Sequence, residues 1–518
     1  MRLVRVARTV GSGLCVLAVM GAPGVAQLRA QAVSGPVHEI RGLAVYEKIP
    51  VASTGLDLEA PRIRPIRGAG VEALDPISGA IVTVAETDAR GRFVLSLPSP
   101  GRYRVRVVSR LVAGDVFVMD NTRDDAIWSV SAEAMTGDPL LLWATDRTRA
   151  AGAFNILDVI RRANAFVRTL EDGIGLPPLT IFWSPLNTDD PETLTGSFVG
   201  GTRFDSQGNY AVVLGDRQRD SDEFDDDVIL HEYAHFLAAR FSRDDSIGGP
   251  HAPGDVLDPR VAWSEGWANF FSALVRADPV YRDAYYGRVL EYDLESNLPG
   301  SEPPGYWSER TVHAFLWDLA DDGQDSGDSI QVDPRALWNA FRQLADDAFV
   351  YFPTFLDRLA AGGALDAPAL EQLARIHSLD YRVGSGRRGA PSFPRVIEGR
   401  TATGEVDSWS AGRTNLARSA HLYTFYTTGG AVTLDLEITG PGYARNPAAN
   451  DLDLYLMDER GRLLRGSNSG GNGEPERIAT FLPEGTYVVE IRSFFGRGSP
   501  RRPAEFNSGA YRLTVNRP

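Results

Sequence analysis

The spacing of apolar residues changes twice along this 518-residue chain, and each change marks a different kind of structure. From about residue 40 to residue 144, apolar and polar residues alternate in short stretches separated by Gly and Pro. The clearest stretches, residues 91–97 and 102–107, flank a Pro-Ser-Pro-Gly turn and predict a half-buried β-hairpin. From about residue 147 to residue 382 the period is helical, and beyond residue 404 alternation returns. The pattern predicts a multidomain protein in which an α+β core is flanked by two all-β sandwich domains.

The central part carries the predicted helices and two predicted strands. Helices are expected over residues 155–170, 261–276, 308–319, 334–344 and 367–377, and strands over residues 179–183 and 209–214. The second strand is either a sheet edge to which an extended peptide adds or a plain internal strand.

Residues 1–32 combine three early arginines, an apolar stretch over residues 10–20 and an Ala30-Gln31-Ala32 ending. This is typical of a secretory signal peptide, and an amphipathic first helix is the alternative. No later run is long enough to cross a bilayer. The only cysteine, Cys15, lies in this segment, so the mature chain has no disulfides. The sequence predicts a secreted protein, extracellular or periplasmic, without a transmembrane segment. Its formal charge of −15 argues against nucleic acid as a partner.

His231-Glu232-Tyr233-Ala234-His235 is the motif that carries chemistry. Two imidazoles four positions apart on a helix face the same way and can bind one Zn²⁺. Catalytic zinc needs a third protein ligand and an open position for water, and Glu265, on the helix after the motif, is the candidate. Glu232 then lies beside the metal as general base. Asn269, one helical turn beyond Glu265, either accepts the free ring N–H of His231 or faces water.

Through His231, Glu232, His235 and the block Glu265-Gly266-Trp267-Ala268, the chain resembles the gluzincin clan of zinc metallopeptidases. The resemblance implies a zincin-like core over residues 147–382. Residues 87–93 and the later Pro-Gly-Arg-Tyr resemble a carboxypeptidase regulatory-like domain, placed at 33–146. Residues 450–456, 485–487 and 509–515 resemble the bacterial pre-peptidase C-terminal (PPC) domain, placed at 404–518 after a linker at 383–403.

A peptidase of this kind also needs a donor that stabilises the developing oxyanion. His313 is the catalytic candidate, because thermolysin-like relatives place a donor histidine on a helix after the glutamate helix, and Tyr306 is the second candidate. In the alternative, His313 is an ordinary core or surface residue of its helix. His251 either lines the cleft or is an exposed loop residue.

Calcium is a second candidate cation at two places. Asp225, Asp226 and Asp227 precede the motif helix, where they either cap and solvate it or bind Ca²⁺. Asp451 and Asp453 either bind Ca²⁺ in the last domain or are solvated strand residues.

The sequence therefore predicts a secreted zinc peptidase acting on a protein or peptide substrate, with possible cell-surface or matrix contact through its β-domains. The alternative is a cell-surface or secreted adhesion or carbohydrate-binding protein whose zinc site is structural or degenerate. A structural zinc would take a fourth protein ligand and would not use Glu232.

Overall fold

The structure is a computed structural model that describes residues 38–295, 303–321, 330–347, 349–383, 395–397, 401–442, 445–496 and 504–517. The predicted signal peptide and most of the predicted linker lie outside these residues. Within them the protein is multidomain and β-rich, with several sheets and seven α-helices.

The N-terminal part is built of short strands. They are β1 (His38–Lys48), β2 (Val51–Ala52), β3 (Gly55–Leu56), β4 (Arg62–Pro65), β5 (Ala69–Leu74), β6 (Ile81–Glu86), β7 (Arg92–Leu97), β8 (Arg102–Leu111), β9 (Val116–Asp120), β10 (Ala126–Ile127), β11 (Ser129–Met135) and β12 (Pro139–Ala144). One sheet has the order β12-β1-β4 with β7 also on β1, and a larger sheet contains β5, β6, β8, β9, β10 and β11. Buried residues of both sheets, including Ile40 and Val105, belong to one hydrophobic core.

The prediction that residues 91–107 form a hairpin is wrong, because the two strands do not pair with each other. Both strands form, and both bury every second side chain over their first six residues or nearly so, as the alternation predicts. However, β7 pairs with β1, whereas β8 pairs with β5 and β11 in the other sheet. Alternation of apolar and polar residues shows that a strand has one buried face. It does not show which strand is the partner, because two strands in opposite sheets of one core have the same alternation as two strands that pair.

The central part follows in the order α1 (Ala150–Leu170), β13 (Leu179–Trp183), β14 (Asn187–Thr188), β15 (Ser197–Phe198), β16 (Arg203–Asp205), β17 (Tyr210–Val213), β18 (Gly215–Asp216), β19 (Asp220–Ser221), α2 (Asp226–Phe241), α3 (Pro259–Arg276), β20 (Val280–Tyr285), β21 (Arg288–Asp293), α4 (Glu309–Ala320), α5 (Pro334–Gln343), α6 (Phe352–Ala361) and α7 (Ala367–Ile376). The predicted helices are present with ends that differ by a few residues, whereas α6 and the β20–β21 hairpin are not among the predicted elements.

The larger N-terminal sheet continues into the central part. Its order is β16-β17-β13-β9-β8-β5-β6, and β13 pairs in parallel with both β9 and β17. The boundary predicted at residue 146 therefore does not coincide with a boundary between sheets. Pairing between β9 and β13 joins main-chain groups about sixty residues apart, which local periodicity does not encode.

Strand β17 is internal, with β13 on one side and β16 on the other, so the internal alternative holds for residues 209–214. Within the described residues, β16 and β6 are the two strands at the ends of this sheet, and each pairs antiparallel with its neighbour.

The C-terminal part contains β22 (Arg395–Val396), β23 (Thr401–Asp407), β24 (Ala420–Thr427), β25 (Gly430–Gly440), β26 (Leu452–Asp458), β27 (Leu463–Ser467), β28 (Glu476–Leu482), β29 (Gly485–Ser493), β30 (Phe495–Gly496), β31 (Glu505–Phe506) and β32 (Ser508–Asn516). Two sheets, β22-β24-β29-β26-β27 and β23-β32-β25-β28, enclose a hydrophobic core of their own. In the part of the chain described here, no helix has the length and apolar character needed to span a membrane.

Candidate metal centre

Helices α2 and α3 carry the side chains of the predicted site. Helix α3 begins at Pro259 after Asp258, whose side chain accepts a hydrogen bond from the backbone N–H of Arg260 at 2.9 Å. Most of α2 is buried on more than one side, but His231, Glu232 and His235 are only partly buried. Helical spacing places the two histidines on one face, and α3 brings Glu265 to that face.

The three predicted ligand atoms form a small triangle. His231 Nε2 lies 3.0 Å from Glu265 Oε2 and 3.1 Å from His235 Nε2, and His235 Nε2 lies 3.4 Å from Glu265 Oε2. Four donors at about 2.1 Å from a tetrahedral zinc ion lie about 3.4 Å from one another. The triangle therefore has nearly the size of one face of a zinc tetrahedron. We call these three side chains the tripod.

The other nitrogen of each ring has a partner. His231 donates from Nδ1 to Asn269 Oδ1 at 2.8 Å, so of the two alternatives for Asn269 the structure has the one in which it accepts from His231. The Nδ1 of His235 lies 3.3 Å from Ser264 Oγ, and that hydroxyl donates to Asp244 Oδ2 at 2.9 Å. These contacts hold each ring by its Nδ1 and turn its Nε2 toward Glu265, where a metal ion would replace the proton on Nε2.

Electrostatics favour a charged carboxylate at the tripod. Burial raises the pKa of Glu265, but the nearby His235 and the hydrogen bonds from both histidines hold it well below its ordinary value. Burial lowers the pKa of His235, and the charge of Glu265 more than offsets this and raises it to about 10. Glu265 is thus ionised and attracts positive charge to this point.

Glu232 has no hydrogen bond or ion pair among the residues that the structure describes. Its side chain is partly exposed beside the tripod, and its charge contributes to the raised pKa of His235. An unengaged carboxylate next to a cation site can accept a proton from water or substrate.

His313 lies on α4 away from direct contact with the tripod. Its ring stacks on Tyr292 with centroids 5.4 Å apart, and its Nδ1 has no hydrogen-bond partner in the described chain. Burial, helped by Arg310, lowers its pKa to about 3, so the ring is neutral. Tyr306 is buried near Tyr351, and burial raises its pKa.

His251 is the further side chain that the fold brings to the tripod. Its Nε2 lies 3.6 Å from Glu265 Oε2 and 3.7 Å from Glu309 Oε2, and its side chain is 28% exposed. Of the two alternatives for this residue, lining the cleft agrees with this position. The sequence left both alternatives open, because a loop holds His251 and no helical or strand period fixes which neighbours it meets.

The candidate calcium residues are used in different ways. Asp226 pairs with Lys48 and Arg162, and Asp227 pairs with Arg276. Asp225 has no such pair among the described residues. Burial, with repulsion from Asp453, raises the pKa of Asp451 to about 6, but in the described chain these two aspartates do not belong to a converging group of three or more His, Cys, Asp or Glu side chains.

Part of the chain is similar to one protein family and to one curated protein. Residues 177–373, which include the tripod, match the family model described as the mycolysin C-terminal domain, and this segment is less than half of the chain. An uncharacterized protein of Archaeoglobus fulgidus is 29% identical over 166 residues, covering 31% of this chain and 44% of that protein. The chain thus spans less than half of the length of this relative.

Two solved structures resemble part of the fold. The pre-peptidase C-terminal domain of a Bacillus anthracis collagenase is 14% identical and aligns over 25% of this chain and all of that domain, with a TM-score of 0.17. The lysozyme inhibitor PliG of Aeromonas hydrophila is 15% identical and aligns over 23% of this chain and 92% of that protein, with a TM-score of 0.15. At these scores neither likeness bears on function.

Proposed function

We propose that this chain is a secreted, zinc-dependent peptidase in which His231, His235 and Glu265 hold the metal. The observation that carries the proposal is the tripod, whose donor atoms lie 3.0–3.4 Å apart. Two imidazole nitrogens and one carboxylate oxygen suit zinc, and three protein ligands leave one position open. The match of residues 177–373 to a domain family named for mycolysin supports the same assignment.

When bound, zinc supplies Lewis acidity that makes a water molecule acidic near neutral pH and polarises the substrate carbonyl. Glu232 takes the proton from the attacking water and delivers it to the departing amine. Asn269 keeps the His231 ring in its binding orientation through the 2.8 Å hydrogen bond. The edge strand β16 offers free main-chain groups to an extended peptide.

His251 is the imidazole positioned to donate to the substrate carbonyl oxygen. It lies 3.6 Å from Glu265 Oε2 and keeps part of its surface open to solvent, whereas His313 is buried against Tyr292. We therefore assign the donor role to His251 rather than to His313. The expected contribution of such a donor is roughly 10²–10³ in kcat.

Glu232→Gln tests the mechanism. The variant should keep its zinc, because residue 232 is not a ligand, and should lose nearly all hydrolysis of casein. The measurements are zinc content of the purified full chain and casein hydrolysis with and without chelator. Glu291→Gln is the matched control, since Glu291 is an exposed glutamate on the β20–β21 hairpin. Full activity of Glu232→Gln would rule out the proposed base.

The alternative function, a binding protein with a structural zinc, is favoured by one observation. The approach of His251 to Glu265 would also suit a fourth ligand, which would close the site. His251→Ala distinguishes the two functions. If His251 acts on substrate, the variant keeps zinc and loses roughly 10²-fold or more in kcat. Loss of zinc together with an inactive wild type would favour the structural site.

A further inference from the structure

A second group of carboxylates converges outside the tripod. Asp220 on β19, Asp222 just after it and Asp283 on β20 place one carboxylate oxygen each within 4.8 Å of the others. Asp225, at the start of α2, joins them from the side, since its Oδ2 accepts a hydrogen bond at 3.0 Å from the backbone N–H of Ala284, the neighbour of Asp283. We call these four residues the aspartate cluster.

Three buried oxygens of the aspartate cluster have no hydrogen-bond partner in the part of the chain that the structure describes. Asp225 is completely buried, and its Oδ1 has no hydrogen bond within the described residues. The same holds for the buried Oδ1 atoms of Asp220 and Asp283. Asp283 is the strongest charged neighbour of Asp225, so the free oxygen of Asp225 lies in the field of the other carboxylates.

Neighbouring acidic residues in the same segment behave differently. Glu223 pairs with Arg149 and Arg217, Asp226 with Lys48 and Arg162, and Asp227 with Arg276. None of the four members of the aspartate cluster has an arginine or lysine partner in the described chain. A buried carboxylate without donors or counter-charge is costly, so this contrast indicates a missing positive charge.

The pKa values of the aspartate cluster also indicate that its carboxylates lack a counter-charge. Burial, followed by repulsion from nearby carboxylates, raises the pKa of Asp220 to about 6 and that of Asp283 to about 7. The pKa values of Asp222 and Asp225 are raised for the same two reasons. A divalent cation at this point would restore ordinary ionisation.

We propose that Asp220, Asp222, Asp225 and Asp283 bind a calcium ion that joins β19 and β20 to the beginning of α2. Every donor is a carboxylate oxygen, which suits a hard cation and not zinc. Calcium accepts several carboxylates in a flexible arrangement, whereas magnesium takes one or two and retains its waters. This inference does not rest on the proposed peptidase activity, because the aspartate cluster shares no residue with the tripod.

The test uses the full chain, treated with chelator, reloaded with zinc and titrated with Ca²⁺ alone by calorimetry, with thermal unfolding in parallel. Wild type should bind Ca²⁺ with a Kd of about 10⁻³ M or tighter, and saturation should raise Tm by a few degrees. Asp283→Asn and Asp220→Asn should each weaken this binding by about tenfold or more and lose the rise in Tm.

The same variants separate a lost ligand from a damaged fold. Without Ca²⁺, Asp283→Asn should have a Tm equal to or above that of wild type, because it removes repulsion. Asp293→Asn, an exposed aspartate on the same hairpin, is the matched control and should bind Ca²⁺ as wild type does. Unchanged Ca²⁺ affinity in both cluster variants, or a wild-type Tm insensitive to about 10 mM Ca²⁺, would overturn the proposal.

Discussion

At the scale of single residues, the orientation of His231 depends on Asn269. The amide oxygen accepts from His231 Nδ1 at 2.8 Å, while the amide nitrogen donates to Glu309, so the amide group is held at both ends. This fixes His231 Nε2 as the ring nitrogen that is turned toward Glu265. A ligand held in its binding orientation loses less entropy when the metal binds.

Asn269→Ala should therefore weaken zinc binding by about 10–100-fold without abolishing it. Competition with a zinc chelator of known affinity measures the change. Asn339→Ala, on the exposed face of α5, is the matched control and should leave zinc affinity unchanged. Equal zinc affinity in Asn269→Ala and wild type would show that the hydrogen bond does not orient the ligand.

At the scale of elements, close contact between α3 and α4 depends on Gly266. A Cβ at this position would lie 2.6 Å from both Cβ and Cγ1 of Val312 and 3.1 Å from the backbone oxygen of Glu309. The contact with Val312 Cβ cannot be relieved by a change of rotamer. Glu265 precedes this glycine, so the distance between the two helices also sets the position of the tripod carboxylate.

Gly266→Ala should destabilise the fold by about 1–3 kcal/mol, because the free energy gained from helix propensity is smaller than the free energy lost through steric overlap with α4. Denaturant unfolding monitored by tryptophan fluorescence measures the change. Gly175→Ala is the control, since a Cβ there meets no atom within 4 Å. A Gly266→Ala protein as stable as wild type would mean that α4 moves away without cost.

The aspartate cluster predicts a pH dependence at the junction of β19, β20 and α2. Folding raises the pKa of Asp220 from 3.8 to about 6 and that of Asp283 from 3.8 to about 7. Between the unfolded and the folded pKa of each group, the folded state therefore binds more protons than the unfolded state. The contribution to stability is present below about pH 4 and is lost as the pH rises through about 7. In chelated protein, the difference in Tm between Asp283→Asn and wild type should grow over this window, and Ca²⁺ should remove it. A difference that stays constant with pH would contradict these shifts.

At the scale of the whole molecule, the C-terminal sandwich holds the loop that carries His251. Arg413 pairs with Asp255 at 2.6 Å, and Asn415 donates from Nδ2 to the backbone oxygen of Pro250 at 3.0 Å. The backbone of Leu257 also forms a bridge with Leu416. The C-terminal sandwich thus contacts both ends of the loop, and these contacts help to hold His251 in place.

A double variant, Arg413→Gln with Asn415→Ala, should keep its zinc and lower kcat for peptide hydrolysis, because His251 is less well positioned. Zinc content and steady-state kinetics measure the two effects separately. Arg477→Gln, an exposed arginine on the outer strand β28, is the control. Wild-type kcat in the double variant would show that the loop holds its shape without the C-terminal module.

The sequence by itself determined what depends on local spacing. The helices that carry His231 and Glu265, and the shared face of Glu265 and Asn269, follow from intervals of one helical turn, at which residues share a face. The β20–β21 hairpin was missed because burial does not alternate along its strands, and the local signal reduces to Gly287 in the two-residue turn Tyr286-Gly287.

Only the tertiary structure decided the relations between distant segments. These are the pairing of β7 and β8 in separate sheets, the continuation of the sheet from β9 into β13, the approach of His251 to Glu265 and the meeting of Asp220 with Asp283. In each case the partners are brought together by long-range packing, and alternation or helical period fixes only which face of an element is buried, not which element lies against it.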